Sequence, residues 1–233
     1  MARITSLIFI ATLSSSSAFT PAPFGKPRHL LPVLHGSKAS DDVVLQSAYA
    51  TGTLVEFSDK NRIHAGKITD IEYKSNGGAR YHIQDTNGKK FSIADKAVNY
   101  AMQIAPNDQK RLNELFAEFA SAMEESDAQL RQDLDISAEI LEMAWEETLE
   151  GDESHELTPK SLIDLVHSHA ASSIDTYKAW KLLRTDMAHV LFKEIKDHGR
   201  VVSFKAKAES AVEAAKRTFC TNPANSEDDF CWV

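Results

Sequence analysis

Apolar and polar residues alternate from Tyr49 to about Met102. Thr53-Leu54-Val55-Glu56-Phe57, Ile63 to Tyr73, Ala79 to Gln84 and Lys90-Phe91-Ser92-Ile93 repeat with the two-residue period of half-buried strands. Turn formers separate them: Ser58-Asp59-Lys60-Asn61, Asn76-Gly77-Gly78 and Asn87-Gly88. Asn87-Gly88 suits a type I′ hairpin turn, whose two central residues both need positive φ. Four or five short strands in about 50 residues predict a small SH3-like or OB-like β-barrel over 49–104.

Past Pro106 the period becomes helical. Leu112, Leu115, Phe116, Phe119 and Met123 form one stripe, read as a connecting helix over 106–128. Ile136, Ile140, Leu141, Ala144, Trp145 and Leu149 form a second stripe. Thr158-Pro159 opens a third helix, with Thr as N-cap and Pro where its missing N–H costs nothing. Ser172 opens a fourth, with Asp175 three residues on as a capping-box variant, running through Tyr177, Trp180, Leu183 and Met187 to Ile195. Gly199 to Phe204 reads as a short strand, and a final helix follows to about Phe219. Three helices and then a strand is a winged-helix order, placed over 135–219, and 220–233 reads as a flexible acidic tail. The expected fold class is α+β: a small barrel followed by an α-helical winged-helix domain.

Ahead of these modules, Arg3, an apolar run from Ile4 to Leu13 and small residues to Ala18 have the layout of a signal peptide over 1–18. About 10 apolar residues fall short of the ~20 that a spanning helix needs. Residues 19–45 hold Lys26, Arg28 and Lys38 before the first acid, Asp41, the acid-poor bias of organelle transit segments. The junction at Ala18-Phe19 resembles the two-part presequences of algae with complex plastids, which implies a plastid stroma. An ordinary secreted protein is the competing reading.

Charge changes the picture. The chain holds 26 basic and 34 acidic residues; without the four basic residues of 1–40 (Arg3, Lys26, Arg28, Lys38), 22 face 34, a net charge of −12. A surface of that sign repels nucleic acid as a whole. Beyond the signal no apolar run is long enough to cross a bilayer, so the mature form is expected to need no membrane. Cys220 and Cys231, the only cysteines, stand near the C-terminus. They could pair, but two free thiols are expected in a reducing stroma.

Leu54-Val55-Glu56-Phe57, Gln84 to Gly88 with Phe91-Ser92-Ile93, Leu141 to Glu150, Leu157 to Leu162 and Ser173 to Leu183 are similar in order and spacing to the N-terminal region of plastid and cyanobacterial exoribonucleases of the ribonuclease II/R type, over about 170 residues from Tyr49 to Phe219. The resemblance implies a region that precedes the catalytic domain and helps to bring RNA to it. The family's catalytic domain is marked by clustered aspartates that hold magnesium. Asp41-Asp42 and Asp228-Asp229 lack that spacing and those neighbours, so no catalytic residue is assigned and this chain is expected not to degrade RNA.

Within 49–102, Lys60, Arg62, Lys67, Lys74, Arg80, Lys89, Lys90 and Lys96 outnumber six acids, a local +2. This makes the barrel the candidate surface for single-stranded RNA, with Lys60, Arg62, Arg80, Lys89 and Lys90 on phosphates and Tyr73, Tyr81 or Phe91 as stacking partners. An ordinary solvated barrel with core aromatics is the alternative. Lys178, Lys181, Arg184, Arg200 and Lys205 form a secondary candidate face for nucleic acid or a partner protein. The acids at Glu139, Glu142, Glu146, Glu147, Glu150, Asp152, Glu153 and Glu156 favour the protein there. Trp145, Tyr177 and Trp180 are expected in the core. His167 and His169 point to opposite sides of a helix, and His64 and His82 have no ligand partner at metal spacing, so no metal site and no cofactor are assigned. Three functions stay open: a non-catalytic RNA-binding or regulatory module of plastid RNA processing or decay, a protein-docking winged-helix module without RNA contact, and the front of a longer 3′–5′ exoribonuclease.

Overall fold

A computed structural model describes residues 49–75, 78–104, 108–151, 155–167 and 171–231. The presequence over 1–45, Asn76-Gly77, Pro106, Asp152, Glu153 and His169 lie outside the described residues.

Five strands come first: β1 (Leu54–Asp59), β2 (Arg62–Tyr73), β3 (Ala79–Gln84), β4 (Lys90–Ala94) and β5 (Val98–Ala101). They form one antiparallel sheet in the order β4-β3-β2-β1-β5, a four-strand meander whose fifth strand returns beside the first. β1 pairs with the first half of β2, from Arg62 to Lys67, and β3 with the second half, from Lys67 to Tyr73. This stagger lets the sheet curl around Val55, Phe57, Ile68, Tyr81, Ile83, Phe91, Ile93 and Val98. Gly66 sits at the tightest point. A Cβ there would lie 2.2 Å from Ile83 Cγ2, so only glycine permits the approach.

The first hairpin turns through Lys60 and Asn61, both at positive φ (48° and 62°), as a type I′ turn requires. The second departs from expectation. Gly88 is left-handed (φ 80°), but Asn87 is not among the positive-φ residues. Asp85 makes the loop longer: its Oδ1 accepts from the amides of Asn87 (2.9 Å) and Lys89 (2.8 Å). A side-chain cap replaces the second left-handed residue.

The helical half comprises α1 (Leu112–Glu124), α2 (Asp127–Leu134), α3 (Ala138–Glu150), α4 (Pro159–Val166), α5 (Ser173–Leu182) and α6 (Asp186–Leu191). It continues with β6 (Phe192–Asp197), β7 (Arg200–Ala206) and α7 (Glu209–Thr221). Thr158 and Ser172 cap α4 and α5 through capping boxes with Ser161 and Asp175. α2 has only Leu130 and Leu134 as buried residues, too few to give a legible stripe, yet Ser126 and Gln129 close a full capping box at its start. The expected single helix from Ser172 to Ile195 is instead α5, α6 and β6. Thr185 caps a new helix by accepting from the Ala188 amide. From Phe192 the chain then pairs with β7 through a turn at His198 (φ 47°) and Gly199 (φ 84°). Leu157 bridges Phe204 on β7, so the order runs helix (α3), bridge, three helices (α4, α5 and α6) and hairpin.

The tail also differs from expectation. Residues 222–231 fold back rather than trail: Phe230 is fully buried, edge-on to Phe219 at 5.6 Å. Arg131 pairs with Asp228 (3.2 Å) and Asp229 (2.6 Å). Cys220 and Cys231 form a disulfide, not the expected free thiols. Burial of one large ring, together with two ion pairs, gives the segment a docking site that composition alone does not reveal. No described helix is long and apolar enough to cross a membrane.

Candidate nucleic-acid interface

Both expected cationic faces can be located residue by residue. Lys60 and Arg62 lie on and beside the first hairpin turn, and Lys89 and Lys90 lie at the second; all four are exposed. The two turns share one end of the sheet. Phe91 shows this directly: its ring packs on Phe57 and on His64, each at 5.0 Å, while Lys89 Nζ stands 4.6 Å above it. His64 stacks on Phe57 at 5.5 Å and is a member of this end that sequence reasoning set aside because it weighed His64 only as a metal ligand. Its position directly opposite Phe57 on β1 is the signal that could have placed it. Exposed Ile63 stands next to it.

The remaining candidates do not join this end. Arg80 and Tyr73 lie toward the opposite hairpin, six residues along β2 from Lys67, or roughly 20 Å at the rise of a strand. Arg80 is also turned back onto the sheet, where its Nη1 donates to the carbonyl and hydroxyl of Ser92, both at 3.3 Å. Tyr81 and Phe91 are core residues rather than stacking platforms. Tyr81 is wholly buried, donates to Asp95 Oδ1 (2.9 Å) and accepts from the Tyr49 amide (3.1 Å). Burial first, then the bond to Asp95, pushes its phenol to about 12 against the opposing Tyr49 amide. Their inward place follows from strand parity: Arg80, His82 and Gln84 face out, so Tyr81 and Ile83 face in.

In the secondary face, Lys178, Lys181, Arg184 and Arg200 are each held by internal partners. Lys178 is pinned between Glu125 (2.9 Å) and Asp133. Burial alone would lower its amine, but Asp133 and Glu125 outweigh burial and raise it. Lys181 Nζ donates to the carbonyls of Ala122 (3.1 Å), Met123 (2.6 Å) and Glu125 (2.8 Å). It thereby caps the C-terminus of α1, whose own last turn has no basic residue. Burial pulls its amine below the ordinary value. Arg184 lies 4.4 Å over the Trp180 ring and pairs with Glu194 (3.1 Å). Arg200 pairs with Asp95 and covers Tyr49 at 4.9 Å. Lys205 is exposed on β7.

These contacts have one cause. α5, the helix that would read a groove in a winged helix, is packed against α1 and the outer face of the sheet. Tyr177 and Trp180 join Leu54, Ala65, Met102 and Phe119 in a shared core. At its centre Glu56, only 3% exposed, accepts from the Tyr177 hydroxyl (2.7 Å) and Asn99 Nδ2 (3.2 Å). Burial first and then Glu56 push the Tyr177 phenol far up. The helix is thus a joint between sheet and helices. Trp145, Tyr177 and Trp180 all serve packing, with Trp145 Nε1 donating to the Lys207 carbonyl (2.8 Å). Among the described residues no group of three or more His, Cys, Asp or Glu could hold a metal ion.

Residues 127–211 match the family model of the ribonuclease II winged helix domain. The match begins at α2, earlier than the boundary of 135 read from periodicity. It supports a ribonuclease II-type N-terminal region. No curated protein and no solved structure matches the chain.

Proposed function

We propose that this chain is a non-catalytic RNA-binding module of the ribonuclease II kind, which holds single-stranded RNA by its phosphates at the hairpin end of the sheet. The observation that carries this reading is the grouping of Lys60, Arg62, Lys89 and Lys90 on two neighbouring turns, with no ion-pair partner for any of them among the described ones. In the winged helix, by contrast, Lys178, Lys181 and Arg184 are engaged by partners of the helical half and Arg200 by Asp95. Phosphate contacts of this type make affinity fall with salt, by about 0.7 log units per log unit of salt for each contact with a single strand, so roughly −3 for four. Filter binding of a single-stranded RNA across a salt series tests this. The double substitution Lys89→Glu and Lys90→Glu is expected to weaken retention and flatten the slope by about 1.4. Binding that ignores both salt and the substitutions overturns the reading.

One observation favours a second reading, a protein-docking module without RNA contact: α3 exposes Met143 and Leu149 among Glu139, Glu146, Glu147 and Glu150. Absence of RNA retention at low salt, with a partner protein bound through α3, decides for it. The compartment proposed for either role is the plastid stroma, on the two-part pattern of residues 1–45. A fluorescent protein carrying that segment is expected to enter plastids; delivery outside the cell overturns the assignment.

A further inference from the structure

A second concavity lies at the opposite end of β1 from the Lys60 turn. It is a cleft of about 520 Å³ between β5, the first turns of α4 and α5, and β7. That volume is in the range of small-ligand sites, roughly 300–1,000 Å³. Among the described residues that line it, none is a carboxylate, which is unusual for a chain this acidic. Tyr100 and Trp180 form the aromatic floor, with ring centroids 4.9 Å apart. Ile104, Pro159 and Val202 make apolar walls, and Val202 is 47% exposed to solvent.

The polar groups at the rim sort into spent and available ones. The Ser173 hydroxyl donates to the Gln103 carbonyl (2.8 Å), the Thr176 hydroxyl to the Ser172 carbonyl (2.8 Å), and Thr158 is engaged in its cap with Ser161. Gln103 and Lys160 line the same cleft, and both are exposed. An aromatic and aliphatic slot, one free amide and one cation call for a flat, uncharged ring that can accept and donate hydrogen bonds and carries a single phosphate. A nucleobase with its 5′-phosphate has that chemistry, and stacking on aromatic side chains is the usual way a single-stranded base is held.

We propose that this cleft binds one nucleotide, the base against Tyr100 between Ile104 and Val202, the base edge on Gln103 and the phosphate on Lys160. The inference rests on the reading of the chain as an RNA-binding module and adds a base-holding site separate from the phosphate-holding hairpin end. Such a site would fix one nucleotide of a strand whose other phosphates are held at the hairpins.

Titration of the full chain with adenosine and uridine 5′-monophosphate, read by saturation-transfer NMR and calorimetry, tests the assignment. Adenosine, ribose 5-phosphate, inorganic phosphate and the acidic dipeptide acetyl-Phe-Asp serve as comparison probes. Saturable nucleotide binding is expected, weaker for ribose 5-phosphate and absent for inorganic phosphate. Lys160→Glu should weaken the nucleotide about tenfold, the loss of one charge-assisted contact, and leave adenosine unchanged. Val202→Trp, at a position 47% exposed, should close the cleft to both. The pair Lys89→Glu and Lys90→Glu should leave mononucleotide binding intact while lowering affinity for an oligonucleotide, so the two sites fail independently. No saturation by either nucleotide, equal binding of inorganic phosphate, indifference to Val202→Trp, or preferential binding of acetyl-Phe-Asp each overturns the proposal.

Discussion

Removing a single oxygen, by Tyr177→Phe, tests whether the joint between sheet and helices is a stabilising element. The ring stays, so its packing on Phe119 (4.5 Å between centroids) and Tyr100 (5.1 Å) is kept. What disappears is the 2.7 Å hydrogen bond to Glu56 Oε2. Glu56 is only 3% exposed, and its other oxygen has Asn99 alone, at 3.2 Å. A buried carboxylate oxygen without a donor costs about 2 to 3 kcal/mol, since charged groups lie at the upper end of that penalty. For a folded unit of this size that lowers the melting temperature by roughly 4 to 10 °C. Glu56→Gln should cost less, because the amide oxygen still accepts from the phenol and no charge is buried. The double variant should then show a coupling of about 1 to 2 kcal/mol. Urea unfolding followed by tryptophan fluorescence measures all three. A Tyr177→Phe protein within about 0.5 kcal/mol of its parent, or single effects that add to within that margin, would refute the account of the joint.

Further outcomes follow from the same structure. Gly66→Ala, whose new methyl would meet Ile83 Cγ2 at 2.2 Å, should destabilise the sheet by about 1 to 3 kcal/mol, seen as an earlier urea midpoint. Reducing Cys220–Cys231 should lower stability by roughly 2 to 3 kcal/mol and expose the tail to protease; identical melting with and without reductant would contradict the docked tail. Tyr81 has a folded pKa raised above its unfolded value, so its contribution is complete below about pH 10 and is lost as pH rises toward about 12. Tyr81→Phe should therefore lack this component of alkaline unfolding. Lys181→Met should weaken folding by uncapping α1 without altering the salt slope of RNA binding, unlike the changes at Lys89 and Lys90.

Much of the fold is local and therefore legible along the chain. Strand parity, the Thr158-Pro159 and Ser172 caps and the apolar stripes of α1 and α3 depend on residues a few positions apart, and so does the turn at Lys60-Asn61. The same locality explains the misses. α2 has two buried residues and little amphipathic signal, and β6 continues a helical spacing that only its pairing with β7 interrupts. The candidate site was half readable. Lys60, Arg62, Lys89 and Lys90 belong together because turn residues at one end of a meander share that end by construction. The fate of the other cations lay beyond sequence, since a charge is available or spent according to what faces it. Lys178 meets Asp133 across 45 residues, Lys181 meets Ala122 across 59, and Tyr177 meets Glu56 across 121. The chain by itself determined the strands of the sheet, the helices α1, α3 and α4, the start of α5 and which residues are charged. Only the tertiary structure decided that α5 faces the sheet, because burying Tyr177 and Trp180 against it removes more apolar surface from water than an open helix could, and its cations were drawn into the joint with them.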